Sequence, residues 1–352
     1  MPSTIRDIAR TAQVSPATVS LVLNGKGGIS PETRARVLDA VTKLNYTGRG
    51  RGPAKSQTSK TLFFLKIAKH GHTVNRDHST FIGDYIDGMS QEADRRGYKL
   101  EIVSYEGVRI EKISASLMTK SVSGVIILGT ELSEGDIRLL QHPDQHTVFI
   151  DTYFDLLEAN FVNMNNKDAV HKILSHLVEQ GVRKIGFVAS NVETTNFELR
   201  LKAFLECTKL LGISARPEDI ITVDSTFDGA YRDMSDQLRR GFKLPDCLVC
   251  TNDIIAYGCM KALREFNVTM PGRLSIVGFD NLPMSEVVDP PLTTIDVSKR
   301  KIGCLAVDIL DDLIRATESQ PAVKAVVGAN LIVRSSVAGL VGSVTEPSLI
   351  IA

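Results

Sequence analysis

The stretch Ser15-Pro-Ala-Thr-Val-Ser-Leu-Val-Leu-Asn-Gly25 gathers hydroxyls, an amide and small or β-branched side chains on one short segment. Hydroxyls and helix-end N–H groups are donors to phosphate oxygens, and small side chains let a backbone approach a polyanion closely. The charge distribution agrees. Residues 1–60 hold ten Lys/Arg against Asp7, Glu32 and Asp39, a net +7, so the remainder carries −7 in a chain whose formal total is zero. A basic head on an acidic body implies a polyanionic partner for the head alone, although a solvated basic face gives the same count. A second group, Cys247-Leu-Val-Cys250, has the spacing of a metal or redox pair. It lies in an apolar run that reads as a buried strand, without a second Cys or His pair at zinc-ligand spacing, so a core role is expected. The five cysteines are scattered and odd in number, which argues against a disulfide framework.

The elements that must hold these groups follow from capping and periodicity. Residues 4–46 read as three helices. Thr4 with Asp7 resembles a capping box, and Ile5, Ile8, Ala9 and Ala12 form the inward face of the first. Ser15 caps the second, with Pro16 at its first position and Gly25 stopping it; Ser30-Pro31 repeats the device for the third, whose apolar stripe is Val37, Leu38, Val41 and Leu44. A tight turn between the first two makes a helix-turn-helix, a motif whose second helix leads into a DNA major groove, while a small helical bundle stays open as the plainer alternative. Val14, Val19 and Leu23 are expected in the core.

Residues 47–60, Thr-Gly-Arg-Gly-Arg-Gly-Pro onward, read as a flexible basic linker. Beyond it, strands of four to seven apolar residues alternate with helices, the sign of parallel sheets covered on both faces. At 352 residues two or three compact units are expected. No apolar run approaches the roughly 18 residues of a membrane span, and Met-Pro-Ser-Thr-Ile-Arg opens no signal region, so a cytoplasmic location is expected. Nucleophile-elbow, P-loop and dinucleotide-binding signatures are absent from the sequence, and no catalytic function is expected.

The segment Thr4-Ile-Arg-Asp-Ile-Ala, Ala12-Gln-Val-Ser, Ala17-Thr-Val-Ser, Asn24, Ser30-Pro-Glu-Thr-Arg and Leu44-Asn-Tyr resembles the N-terminal domain of the lactose-repressor (LacI/GalR) family of bacterial transcription regulators. Later landmarks, Cys250-Thr-Asn-Asp through Val277-Gly-Phe-Asp-Asn and Pro290-Pro-Leu-Thr-Thr onward, extend the resemblance over essentially 3–340. It implies an all-α helix-turn-helix domain (1–46), then a two-lobed α/β periplasmic-binding-protein-like domain with parallel sheets over 61–340 and a tail at 341–352. Lobe 1 would take about 61–160 and 292–325, and lobe 2 about 161–291 and 326–340. The implied function is a repressor whose affinity for operator DNA is switched by a small polar effector, a sugar or sugar derivative, bound between the lobes. The implied partners are double-stranded operator DNA, that effector, and a second copy in a homodimer, or further copies in a tetramer; no membrane partner, metal or cofactor is implied.

Carried over residue by residue, base reading falls to Arg6, Pro16, Ala17 and Leu21, and phosphate contacts to Thr4, Ser15, Thr18, Ser20, Asn24, Ser30, Thr33 and Tyr46, with Arg34 a further sequence-independent contact. Many members have Arg at the Leu21 position; Leu21 cannot donate to guanine, so it would meet a thymine methyl or pack. The linker departs from the family's Pro-Asn and Ala-Arg-x-Leu: glycine costs about 1 kcal/mol per position in a helix, so no stable hinge helix and no leucine wedge are expected. Arg49 and Arg51 either enter a narrow minor groove or belong to a tether. In the body, Arg200, Asn252 and Asp280 match effector contacts of the family. An Arg, an amide and a carboxylate suit ligand hydroxyls. Asp151 and Phe81 are further candidates, and near Asp228-Gly-Ala-Tyr the family's stacking aromatic falls on Ser225, with Phe227 two residues on. The loop from Ala68 to Phe81, with His70, His72, Asn75, Arg76, Asp77 and His78, could form a specificity lid. A periplasmic-type receptor and an α/β enzyme are the rival classes.

Overall fold

A computed structural model describes residues 5–23, 29–44, 60–69, 79–213 and 215–339; within it the side chains of Ile5, Arg6, Ala17, Ser20, Leu21, Leu23, Pro31 and Thr42 are outside the description. The calls on Thr4, Asn24, Tyr46, Arg49 and Arg51, on the linker and its missing hinge helix, on the loop over 70–78 and on the tail therefore lie outside the described residues. The chain divides into two compact units, 1–58 and 59–352.

The first unit holds α1 (Ile5–Ala12), α2 (Pro16–Leu23) and α3 (Pro31–Lys43). Ile8, Ala9, Ala12, Val19, Val22, Val37 and Ala40 form its core, with Val14, Val41 and Leu44 packed against it. Leu38, expected inside, is 49% exposed, and Ala40 takes the inward position. The reason is helical phase: Val37, Ala40, Val41 and Leu44 share the face that Leu38 leaves. Ser15 Oγ accepts the N–H of Thr18 at 3.0 Å and Ser30 Oγ that of Thr33 at 3.2 Å, so both caps form. Between α1 and α2 the chain turns at Gln13, at φ 55°.

The second unit is built on two parallel sheets. The first has the order β11-β5-β4-β3-β1-β2, from β1 (Thr61–Ala68), β2 (Lys99–Glu106), β3 (Gly124–Leu128), β4 (Thr147–Ile150), β5 (Asn160–Met164) and β11 (Lys324–Val327). The second has the order β7-β6-β8-β9, from β6 (Ile185–Ser190), β7 (Ile220–Val223), β8 (Cys247–Cys250) and β9 (Ser275–Val277). Strands such as Leu62–Leu65 and Val125–Leu128 are buried on both faces, which is why they read as unbroken apolar runs. Helices cover the faces: α4 (Ser79–Arg95), α5 (Ile110–Met118), α6 (Glu134–Leu140), α7 (Asn166–Glu179), α8 (Thr195–Leu210), α9 (Phe227–Arg239), α10 (Asp253–Glu265), the short α11 (Met284–Val287) and α12 (Lys299–Arg315).

The chain crosses between sheets three times: from β5 into α7, from β9 through β10 (Thr294–Val297) into α12, and from β11 into β12 (Ala329–Ile332). β10 and β12 pair antiparallel in the crossing region. The lobe boundaries expected at 160/161 and 325/326 both fall inside strands of the first sheet, because β5 pairs with β4 and β11 with β5. α12 lies against α4. A Cβ at Gly303 would collide with the backbone oxygen of Tyr85, and one at Gly88 with that of Arg300, so glycine at this crossing lets the two helices touch.

Candidate functional site

In parallel α/β sheets the strand ends leave backbone groups and loops at the C-terminal edge, where ligands bind. Both sheets of the body place polar side chains there. Asp151 follows β4 at φ 60° and Asp280 follows β9 at φ 110°, with Asn281 at φ 48° behind it. Backbone held in sparsely populated regions persists only where its surroundings fix it, and such residues concentrate at functional sites.

What fixes them is one continuous hydrogen-bonded network. Tyr85, on α4, donates its hydroxyl to Asp151 Oδ1 at 2.9 Å, and Thr130 donates to Oδ2 at 2.5 Å. From the other lobe, Asn196 in the first turn of α8 donates to Asp151 Oδ1 and to its backbone oxygen, both at 3.0 Å. Asn196 Oδ1 accepts from Asn163 at 2.7 Å and Asn166 at 2.9 Å. Asn166 Oδ1 in turn accepts from Arg200 Nε at 3.1 Å. The Arg200 guanidinium also donates to the backbone oxygen of Thr251 at 2.7 Å, lies 3.4 Å from Asp280 Oδ1 and sits 3.7 Å from the centre of the Phe279 ring. Lys299, first residue of α12, donates to the Asp280 backbone oxygen at 2.8 Å and stands 5.2 Å from the ring centre of Phe81, which packs edge-on against Tyr85. Asp151, Asn163, Asn166, Asn196, Arg200, Asp280 and Lys299 are all buried.

The electrostatics follow from that burial. Desolvation pushes the Asp151 carboxyl above its usual range, against the lowering effect of the Thr130 and Tyr85 hydroxyls and the Arg200 charge. The Tyr85 hydroxyl is pushed well up, first by burial and then by the Asp151 charge. Beside the network, Asp253 is pushed up to about 7, by burial first and by Asp280 second. Its carboxylate accepts from Leu282 N and Ser285 Oγ at 2.8 Å and from Thr294 Oγ1 at 2.6 Å, tying α10 to the crossing strand β10.

A cavity of ≈ 680 Å³ opens from Thr130 between the strand ends of the two sheets. Lys69, Glu131 and Phe154 line it from lobe 1, and Asn191, Thr194 and Glu198 from lobe 2. A volume of this order suits a small ligand.

Of the six body residues marked from sequence, four meet in the network or against it: Asp151, Arg200, Asp280 and Phe81. Asn252 is fully buried and caps α10, its side-chain oxygen accepting from Ile255 N at 2.9 Å. Phe227 is the first residue of α9 and 38% exposed. The turn before it is closed by Thr226 on Asp224 and turns Ser225 inward, where its hydroxyl is buried with no hydrogen-bond partner. Sequence reading missed Tyr85, Thr130, Asn163, Asn166, Asn196 and Lys299. The Cys247-x-x-Cys250 pair lies inside β8 as buried free thiols, and burial pushes the Cys247 thiol up. No group of three His, Cys, Asp or Glu among the described residues is placed to hold a metal ion.

In the head, Ser15, Pro16 and Ser30 are exposed and Thr18, Thr33 and Arg34 partly so. The hydroxyls pair: Ser15 Oγ with Thr18 Oγ1 at 2.9 Å, and Ser30 Oγ donating to Thr33 Oγ1 at 2.9 Å. Each pair uses one O–H internally and leaves one for an external acceptor.

A helix-turn-helix head and a two-lobed parallel α/β body with a polar cleft define a class, the DNA-binding regulator with a periplasmic-binding-protein-like body. Residues 4–48 match the model of bacterial regulatory proteins of the lacI family, and residues 174–337 that of the periplasmic binding protein-like domain. The ribose operon repressor of Haemophilus influenzae is 29% identical over 312 residues, covering 88% of this chain and 91% of that protein. The HTH-type transcriptional repressor PurR of Actinobacillus pleuropneumoniae is 27% identical over 320 residues, covering 90% and 93%. Among solved structures, the lac repressor dimer bound to operator and the anti-inducer ONPF superposes with a TM-score of 0.70 at 23% identity, covering 96% of this chain and 99% of that one. The complex of the transcriptional regulator CelR with cellobiose gives 0.68 at 22%, covering 95% and 99%. The head matches the lacI family model, and the chain is similar over most of its length to transcriptional repressors, which marks it as a DNA-binding transcription regulator of the repressor type. No helix among the described residues is long and apolar enough to cross a membrane.

Proposed function

We propose that a homodimer of this chain represses transcription from a near-palindromic operator, and that a small polar effector bound between the lobes switches its DNA affinity. The observation that carries this reading is the network from Tyr85 and Asp151 in lobe 1 through Asn196 to Arg200 and Asp280 in lobe 2, next to a ligand-sized cavity. A ligand shifts an equilibrium only if it binds the two lobe arrangements unequally, and groups drawn from both lobes meet that condition. Bidentate donors and acceptors in such a site suit the hydroxyls of a sugar or sugar derivative. Arg6, Pro16, Ala17 and Leu21 read bases, while Ser15, Thr18, Ser20, Ser30, Thr33 and Arg34 hold phosphates. Arg49 and Arg51 add charge from the linker. The chain acts in the cytoplasm, where its DNA is, and catalyses no reaction.

The test is selection of duplexes from a random pool by the full chain at low ionic strength, then titration of the winner with neutral sugars, sugar acids and nucleobases. A near-palindromic winner whose affinity changes with one ligand class is expected. Failure to retain any duplex would overturn the proposal.

A further inference from the structure

The cleft cavity is not electrically neutral. Glu131 and Glu134 line it from lobe 1 and Glu193 and Glu198 from lobe 2, against one ammonium, Lys69, a net −3 among the described lining residues. Ion pairs do not restore the balance. Lys69 is held 2.5 Å from Asp136, a carboxylate outside the lining, and Arg138 neutralises Glu134 at 2.5 Å. Glu193 and Glu198 form no ion pair among the described residues. Glu131 is 5% exposed, its Oε2 accepting the Lys69 N–H at 2.7 Å. Helix ends explain part of the pattern: Glu134 and Glu198 stand in the first turns of α6 and α8, where a carboxylate meets the positive end of a helix. That account does not reach Glu131, a carboxylate buried in the cavity wall, which favours a cation in the space beside it. The deeper network differs, since Arg200 and Lys299 match Asp151 and Asp280 there. Thr130 joins the two parts, donating to Asp151 and lining the cavity. Phe154, half-buried, adds a ring to the same wall, and ring faces attract cations. Among the described residues no three of the carboxylates are placed to hold a metal ion. The negative potential is therefore spread over a ligand-sized space of ≈ 680 Å³, which suits an organic cation.

Resting on the cleft reading above, we propose that the effector is a hydroxylated primary amine of the amino-sugar class. Its ammonium lies among Glu131, Glu193 and Glu198 beside the Phe154 ring, and its hydroxyls face Thr130 and the network. The same charges supply the switch. Glu131 belongs to one lobe and Glu193 and Glu198 to the other, so like charges oppose each other across the empty cleft and an ammonium between them draws the lobes together. The amine thereby binds the two lobe arrangements unequally. An uncharged sugar lacks this bridge, and a sugar acid adds repulsion.

The experiment is thermal unfolding of the full chain with D-glucosamine, D-galactosamine and D-mannosamine at matched chloride. Each is set against its parent hexose, its N-acetyl form and its uronic acid, and operator affinity is measured with the same sugars. At least one amine should raise the unfolding midpoint further than its three counterparts do. Combined Glu193→Gln and Glu198→Gln, at exposed side chains, should weaken its binding by about tenfold or more. The proposal is overturned if every amine is matched by its parent hexose, N-acetyl form or uronic acid, or if the double variant binds the amine as the parent chain does. The two readings fail separately: a neutral hexose or a uronic acid that binds best and shifts operator affinity sinks the amine and keeps the switch. An amine that binds as expected without moving operator affinity keeps the amine and sinks the switch.

Discussion

The head and the body recognise their partners by opposite physics. The head carries short side chains on exposed helix ends, capped by Ser15 and Ser30, and, among its described residues, a core of small or medium apolar side chains. On the proposed reading its charge and hydroxyls stay in water until DNA phosphates replace that water, so its affinity should fall with salt. The body does the reverse: it buries an arginine, a lysine, several carboxylates and four asparagines, and satisfies nearly all of them internally. The lesson is that one chain can hold a low-cost, salt-sensitive surface and a high-stakes interior site, and the two should fail differently when mutated.

The largest failure is expected at Arg200. Arg200→Ala leaves Asp280 and Asn166 without their partner in a buried setting, a loss of about 3–5 kcal/mol; denaturant unfolding should show it, and the surviving folded fraction should bind operator without any effector response. Intact induction in that variant would place the effector elsewhere. Next comes Asp253. Its folded-state value near 7 lies above that of an unfolded Asp, so its protonation favours the native state at low pH. That contribution is full below about 4 and is lost as pH rises through 7, with a slope of up to about 1.4 kcal/mol per pH unit. Asp253→Asn should remove this slope, which a comparison of unfolding midpoints of parent and variant from pH 4 to 8 reads directly; parallel curves would refute it. At the head, Leu21→Arg should move operator preference toward a guanine by about 1–3 kcal/mol, with body stability unchanged, as competition between duplexes measures. The smallest effect is Arg34→Ala: weaker binding to every sequence, and a slope of log affinity against log salt shallower by about 0.9. A sequence-selective loss there would break the contrast between phosphate and base contacts.

The contrast also decides what could be read in advance. The head's caps and spacing are local, so Ser15-Pro16 and Ser30-Pro31 announce their helices in the sequence, and only phase misplaced Leu38 relative to Ala40. The family pattern pointed to Arg200 and Asp280, and the end of a strand to Asp151, all of which lie in the network. It could not locate Tyr85, Asn163, Asn166 and Asn196, because nothing in the residue types distinguishes them from solvated ones until four separate elements converge. One signal was available: Asn163, Asn165 and Asn166 cluster where β5 passes into α7, and such a polar run beside a buried strand needs internal partners. Asn252, a candidate ligand group in sequence, also caps a helix in space, since a strand end followed by a helix offers an Asn both uses. The expected lobe boundaries slipped because β5, with Asn160 and Asn163 among its five residues, lacks the apolar run that marked other strands.

The place of β11 has a consequence for how the chain is made. It is the outer strand of the first sheet, next to β5, yet its residue Lys324 lies 324 − 161 = 163 positions beyond its partner Phe161. During synthesis the edge of β5 stays open until almost the whole body has left the ribosome, and an open parallel edge is a template for wrong pairing. A nascent chain arrested before residue 324 should therefore lean on holdase chaperones, and one arrested after 339 should not.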